Sequence, residues 1–473
     1  MVFNSLDYVV FFLLVGTLHF ASPHRMRTGL LLVASYVFYM WWNAAYALLI
    51  LASTAVDYLV GHRMPAADRA GRRRLLLVSV ATNLGLLFTF KYWNFAAESG
   101  ERLLAWLGTE GELPHLDVLL PVGISFYTFQ TLSYTIDLYR SRLEPERNPA
   151  RFALYVAFFP QLVAGPIERA VHLIPQLHRR HEVDWARIGS GLQLALWGLF
   201  KKVVIADRLG LYVDAVYGNV EHHGATTFLL ATYAFAFQIY CDFSGYSDIA
   251  IGSARVLGFD LMKNFERPYF ATSITSFWRR WHISLSTWLR DYLYIPLGGN
   301  RHGTLATYRN LLLTMLLGGL WHGASFAFVA WGALHGVLLA LSRATLGQRD
   351  RIYRALGVPD RLRDGLRILV TFHLVCAGWV FFRAESIRDA LHIFASFAGP
   401  LDRPFVDGSV FAHALPAVVL LLAVQVFQER QGSVREHVER LPVPLRWVGW
   451  YALLAGIALL GVDGGSQFIY FQF

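Results

Sequence analysis

The sequence predicts an all-α polytopic membrane protein, and three observations carry that prediction. Of 473 residues, 55% are hydrophobic and 16% are charged, against about 25% charged in an ordinary soluble domain. Uncharged apolar runs recur from end to end, and a bilayer-crossing helix needs about 20 such residues. The runs are unbroken instead of alternating, which excludes a membrane β-barrel. About 11–13 membrane segments are expected, including re-entrant and interfacial helices.

The first apolar stretch, from Val9 to Phe20, follows Asn4 and Asp7 and no basic residue. It reads as a retained first helix and not as a cleaved signal. Further helices are expected near 29–42, 44–60 and 75–94. Five arginines and one aspartate lie between Gly61 and Arg74, and five acidic residues and one arginine between Glu98 and Asp117. Basic loops face the cytoplasm, so the helix near 75–94 separates an inner loop from an outer one. That places the N-terminus outside and the short basic turn His24–Arg27 inside.

A helix near 120–139 returns to the basic stretch Arg140–Arg151. The run Pro160-Gln-Leu-Val-Ala-Gly-Pro166 predicts a broken or re-entrant helix, because two prolines and a glycine do not fit a straight one. Seven arginines and three aspartates between Arg343 and Arg367 mark another cytoplasmic segment. A last span near 447–461 then leaves the tail from Asp463 to Phe473 outside. The net charge of +9 belongs to cytoplasmic loops and membrane-lipid contact, not to a nucleic-acid partner. Cys241 and Cys376 both lie in apolar segments, so neither a disulfide framework nor a zinc site is expected. The chain reads as one integral membrane domain over 1–473: N-terminal helices at 1–120, a core at 121–345, and C-terminal helices with an outward tail at 346–473.

The stretch that carries chemistry lies in that core. Between Arg309 and Arg343 stand 33 residues without charge. As one straight helix they would run about 50 Å, well beyond a hydrocarbon core of about 30 Å. A break is expected at Gly318-Gly319 or Gly323, with His322 at the break and His335 further along. An ionisable side chain at membrane depth is a functional candidate by default; the plain alternative is a histidine bonded between helices for packing. Upstream, a helix over 275–301 would gather Phe277, Trp281, Leu285, Trp288 and Tyr292 on one face, with Arg279 and Arg290 opposite, Arg280 on a flank and His282 at the boundary. That is the pattern of an interfacial helix. Its arginines suit an anionic ligand, although a purely structural role fits as well. A third cluster, Asp242, Ser244, Tyr246 and Asp248, faces a cavity or a basic partner, with structural pairing the plainer account. The pairs His222-His223 and His178/His181 read as solvated loop residues. No Gly-x-Ser-x-Gly elbow, Walker loop or His-Glu-x-x-His metal site is present.

At these residues the chain resembles the membrane-bound O-acyltransferase family, and within it the branch that O-acetylates bacterial exopolysaccharide, the alginate O-acetylation membrane proteins. The resemblance rests on the N-terminal Met-Val-Phe-Asn-Ser, on Pro121-Val-Gly-Ile-Ser-Phe-Tyr-Thr-Phe-Gln130, Phe159-Pro-Gln-Leu-Val-Ala-Gly-Pro-Ile167 and Tyr240-Cys-Asp-Phe-Ser-Gly-Tyr-Ser-Asp248. It also rests on Trp278-Arg-Arg-Trp-His282, Tyr294-Ile-Pro-Leu-Gly-Gly-Asn300 and Gly319-Leu-Trp-His-Gly323. It implies about a dozen helices around a funnel, with His322 as the catalytic histidine and His282 as a second one. Trp278, Arg279, Arg280, Trp281, Asp242, Ser244, Tyr246, Asp248, Asn300 and Trp321 would line the donor cavity.

It further implies an acyltransferase of the bacterial inner membrane with no bound cofactor or metal, both termini lying in the periplasm. The acyl group, acetyl, would come from a cytoplasmic donor, acetyl-CoA or an acyl carrier protein. The acceptor side would include a periplasmic hydrolase-like O-acetyltransferase and a secreted polysaccharide, alginate. The tail Ser466-Gln-Phe-Ile-Tyr-Phe-Gln-Phe473 is similar to the aromatic-tyrosine motif that works beside the related D-alanylation acyltransferase. By that similarity Tyr470 is a candidate acyl relay; aromatic tails also serve as interface anchors. The rival readings are the same chemistry on cellulose, peptidoglycan or teichoic acid, a lipid or protein acyltransferase, and a non-catalytic carrier or channel. The chain lacks the inverted repeats that many transporters show.

Overall fold

The computed structural model describes residues 1–109, 111–163, 165–462 and 468–469, and its regular structure is all-helical among them. Among the described residues, seven helical runs are long and apolar enough to cross a membrane: Ala44–Ala66, Arg69–Trp106, Trp185–Tyr217, Phe326–Ala355, Asp360–Arg383, Gly408–Gln431 and Val443–Leu460. The apolar first helix, Leu6–Ala21, is shorter. Leu13, Leu14, Val33, Leu48, Val419, Trp447 and Leu454 point outward, the surface that a hydrocarbon solvent requires. The protein is a multi-pass membrane protein. It folds as two compact units, residues 1–193 with 250–262, and residues 194–249 with 263–473.

In the first unit the helices Ala47–Arg63, Arg69–Leu87 and Ile124–Tyr139 are joined by buried polar groups. Asn83 donates to Asp57 at 2.8 Å and accepts from Ser53 at 2.8 Å and Thr131 at 3.0 Å. Buried polar groups are retained when each finds a partner. The helix expected near 75–94 starts at Arg69 and runs on to Trp106 through a wider π-turn, Phe88–Tyr92. The Pro160 segment is broken as expected: Phe158 leaves the helix Pro149–Ala157, and a four-residue helix, Phe159–Leu162, follows. His178 and His181 are not merely solvated. His178 meets Glu146 at 2.6 Å, and His181 is half-buried, its ring on Phe259 and its Nε2 on the Gln176 carbonyl.

The second unit holds the residues on which the chemistry was expected. Its longest hairpin pairs Gly303–His322 with Phe326–Ala355. The reversal is at Gly323, whose backbone is extended, and Ser325 caps the next helix by accepting from Phe328 N–H. Gly318-Gly319, the other break considered, stay helical. Their small size is used for packing instead: a Cβ on Gly319 would sit 2.2 Å from the Phe328 carbonyl oxygen, and one on Gly332 would sit 2.3 Å from that of Met315. Close backbone approach through glycine is how helices associate where apolar burial gives little drive.

The single interfacial helix expected over 275–301 is corrected. The chain forms Ile274–Arg280, breaks at Trp281 and His282, then forms Ile283–Leu289 and a π-turn, Arg290–Tyr294. His282 takes a left-handed backbone, φ +41°, so a 100° step cannot carry through it. Phe277, Trp281 and Leu285 are each 1% exposed; that face packs inside the protein and does not lie against lipid.

Candidate active site

His322 ends the helix Gly303–His322 and is 3% exposed. Three rings stand edge-on around it: Trp331 at 4.9 Å, Trp321 at 5.1 Å and Phe382 at 5.3 Å between centroids. Such edge-to-face contacts fix a ring's orientation. The helix end adds a second property. Last-turn carbonyls are the negative end of the helix, which suits a base that gains positive charge during reaction.

His282 is fully buried and is braced by a loop residue, Asn264. The Asn264 side-chain oxygen faces His282 Nδ1 at 3.1 Å and accepts from Ser284 Oγ at 2.9 Å. Asn264 Nδ2 donates to Ser247 Oγ at 3.2 Å, and Ile283 N–H donates to the Asn264 carbonyl at 2.9 Å. With an acceptor opposite Nδ1, that nitrogen carries the proton and Nε2 holds the basic lone pair. The same loop therefore sets the ring's tautomer and the backbone that presents it. Trp321 lies 5.9 Å from His282 and 5.1 Å from His322, so one indole bridges the two imidazoles. On its other side His282 stands edge-on to Phe243 at 4.6 Å.

The remaining expected residues divide. Trp321 joins the histidines, and Trp278 packs on Trp331 and His335. Trp281 is buried against Phe277 and Trp379. Asp242 and Asp248 meet basic partners: Asp242 meets Lys202 at 2.6 Å and Asp248 meets Lys201 at 2.8 Å. Ser244 accepts from Lys201 at 2.8 Å, and Lys202 lies over the Tyr246 ring. Arg280 is paired with Glu429 at 3.1 Å, whereas Arg279 and Asn300 are exposed. His335 is fully buried among Phe277, Trp278 and Trp331. Tyr470 lies outside the described residues.

Sequence reasoning missed Asn264, Lys201, Lys202, Asp207, Trp331 and Phe382. For the lysines a signal existed: Lys201-Lys202 interrupt one apolar run, and Asp242 and Asp248 another, and opposite charges in separate spans predict pairing. Asn264 left none, because its role depends on a loop folding back onto His282.

Fold and site together define a multi-pass membrane protein with two braced imidazoles, each at a helix break. Residues 145–355 match the model of the membrane-bound O-acyltransferase family. The chain is 46% identical over 399 residues to a probable alginate O-acetylase of Pseudomonas aeruginosa, covering 83% of this chain and 74% of that protein. It is 40% identical to the protein of the same description in Pseudomonas putida, over the full length of both. It is 35% identical to a peptidoglycan O-acetyltransferase of Helicobacter pylori, covering 84% of this chain and 80% of that one. The chain belongs to the membrane-bound O-acyltransferase family, and it is an O-acyltransferase.

Proposed function

We propose that this protein moves acetyl groups across the bacterial inner membrane for O-acetylation of a secreted polysaccharide, alginate. The observation that carries the chemistry is His322, buried at the end of its helix and bridged through Trp321 to His282. The relatives described as probable alginate O-acetylases support that choice of polymer. The donor is a cytoplasmic thioester, acetyl-CoA or an acyl carrier protein, and the basic segments at Gly61–Arg74 and Arg343–Arg367 are on its side of the membrane. Both termini are periplasmic.

In this reading the neutral His322 imidazole takes the proton from an acceptor hydroxyl. The hydroxyl oxygen attacks the thioester carbon, the carbon–oxygen bond forms and the carbon–sulfur bond breaks. The imidazolium then returns the proton to the departing thiolate. Positioning a base in this way contributes about 10²–10⁴-fold. His282, held by Asn264, orients the donor. Tyr470 is the acceptor hydroxyl and hands the acetyl group to a periplasmic hydrolase-like transferase, which places it on the polymer.

Acetyl transfer from labelled acetyl-CoA by the purified protein, with and without the periplasmic transferase, tests the reading. His322→Ala is expected to lose about 10²-fold or more of the transfer while remaining folded. Mass spectrometry of the C-terminal peptide is expected to find acetyl on Tyr470. Full transfer by His322→Ala refutes the role of the histidine. Full polymer acetylation by Tyr470→Phe, with no acetyl on the tail, refutes the relay.

A further inference from the structure

We propose that Asp242 and Lys202, with Phe243 and Tyr246, form a latch that docks the C-terminal segment beside His282. The contacts converge on one place. Asp242 divides its carboxylate: one oxygen meets Lys202 Nζ at 2.6 Å, and the other accepts from the Ile469 backbone N–H at 2.9 Å. Lys202 also meets Asp207 at 2.6 Å. Two carboxylates thus face one ammonium, and the tail's amide adds a donor on the carboxylate side. A backbone amide on a buried carboxylate is a charge-assisted bond, stronger than a neutral pair.

The side chain before that amide supplies the shape. Phe468 is fully buried, 4.4 Å from the Tyr246 ring and 5.6 Å from the Phe243 ring. Phe243 is the residue that stands edge-on to His282 at 4.6 Å. The start of the tail is tied to the same region: Val462 N–H donates to the Val203 carbonyl at 3.1 Å, and Arg208 donates to the Leu460 carbonyl at 2.8 Å. The tail is therefore fastened where it leaves the helix Val443–Leu460 and again at Phe468 and Ile469, one ring away from the second histidine.

Asp242 and Lys202 are positioning residues in this account. They hold Phe468 and Ile469 beside the site. The purpose of the latch rests on the reading of Tyr470 as a relay; the docking itself rests on Phe468 and Ile469.

Hydrogen–deuterium exchange of the full-length protein in detergent tests it, read on the C-terminal peptide by mass spectrometry. In the wild type that peptide is expected to be protected. Phe468→Ala and Asp242→Asn are expected to speed its exchange by at least about tenfold, with the helices around His322 unchanged. Asp242→Asn opposes an amide to the Ile469 N–H. If that variant fails to fold, Phe468→Ala, which alters only the tail, carries the test. Phe468→Ala is also expected to keep its KM for acetyl-CoA while losing turnover to the acceptor, and Phe468→Leu to restore part of it. A wild-type C-terminal peptide that exchanges as fast as that of Phe468→Ala overturns the latch. Protection without acetyl on Tyr470 supports the latch and removes the relay; acetyl on Tyr470 without protection does the reverse.

Discussion

Gly318 and Gly319 are neighbours in one helix, and the structure assigns the same substitution opposite outcomes at the two. A Cβ on Gly319 would lie 2.2 Å from the Phe328 carbonyl oxygen and 3.2 Å from Gly332 Cα. Carbon–oxygen contacts settle at about 3.3 Å, so the helices Gly303–His322 and Phe326–Ala355 must part locally by about 1 Å. Both obstacles are backbone, and neither can rotate away. His322 lies one turn further along the first helix, and Trp331, which faces it, lies on the second. Overpacking of this kind destabilises by about 1–3 kcal/mol, and a 1 Å misplacement of a catalytic group can lower the rate about 10²-fold. On Gly318 the new methyl would lie 3.2 Å from Leu289 Cδ1, the mobile end of a side chain. Alanine is also the better helix former, by about 1 kcal/mol. Gly319→Ala is therefore expected to lose about 10²-fold of acetyl transfer and to melt earlier in detergent, and Gly318→Ala to match the wild type in both. The assays are labelled acetyl transfer and thermal unfolding followed by size-exclusion chromatography. Equal behaviour of the two variants, whether both intact or both damaged, would refute the reasoning.

Three further outcomes follow from the same geometry. Asn264→Ala removes the acceptor facing His282 Nδ1 and Ser284 Oγ, at about 1–3 kcal/mol for each buried donor left unpaired; transfer should fall and the pH–rate profile should shift, with Asn264→Asp recovering more activity than Ala. Lys202→Met leaves Asp207 and Asp242 facing each other without the shared cation, at about 3–5 kcal/mol, and should cut the yield of folded protein more than Lys201→Met, whose partner Asp248 is 23% exposed. Arg280→Gln breaks a partly exposed pair with Glu429, so stability should change by no more than about 1 kcal/mol. Because that arginine is already engaged, KM for the donor should stay within about twofold of wild type; a larger rise would mean that Arg280 leaves Glu429 to meet the donor.

The membrane class was legible because it depends on composition and run length, which need no tertiary information. The hairpin at His322 was legible for the same reason: 33 uncharged residues exceed the bilayer, so the chain must turn, and a glycine offered the place. Which glycine turned was not legible. Gly323 caps the helix, while Gly319 is held inside it by a partner helix whose approach the sequence does not state. The reading of 275–301 failed at one residue, since a periodicity argument assumes an unbroken helix and His282 takes a backbone that only its braced surroundings stabilise. The partners of Asp242 and Asp248 were not legible either, because Lys201 and Lys202 lie in a separate span.

The two lysines have a consequence for how the protein is made. Lys201 and Lys202 sit within the apolar run Trp185–Tyr217, and their anionic partners are split between that run, with Asp207, and the later helix Ala225–Leu257, with Asp242 and Asp248. During synthesis the first run reaches the translocon before Asp242 and Asp248 exist. An unpaired lysine at the centre of an inserting helix costs about 2.5–3.5 kcal/mol, and Asp207 is the one anionic partner already present. Stable insertion of the earlier segment is thus expected to depend on the later one. The two are expected to insert as a co-dependent pair, and a chain truncated before residue 242 is expected to leave the first of them poorly anchored when its membrane extraction is measured.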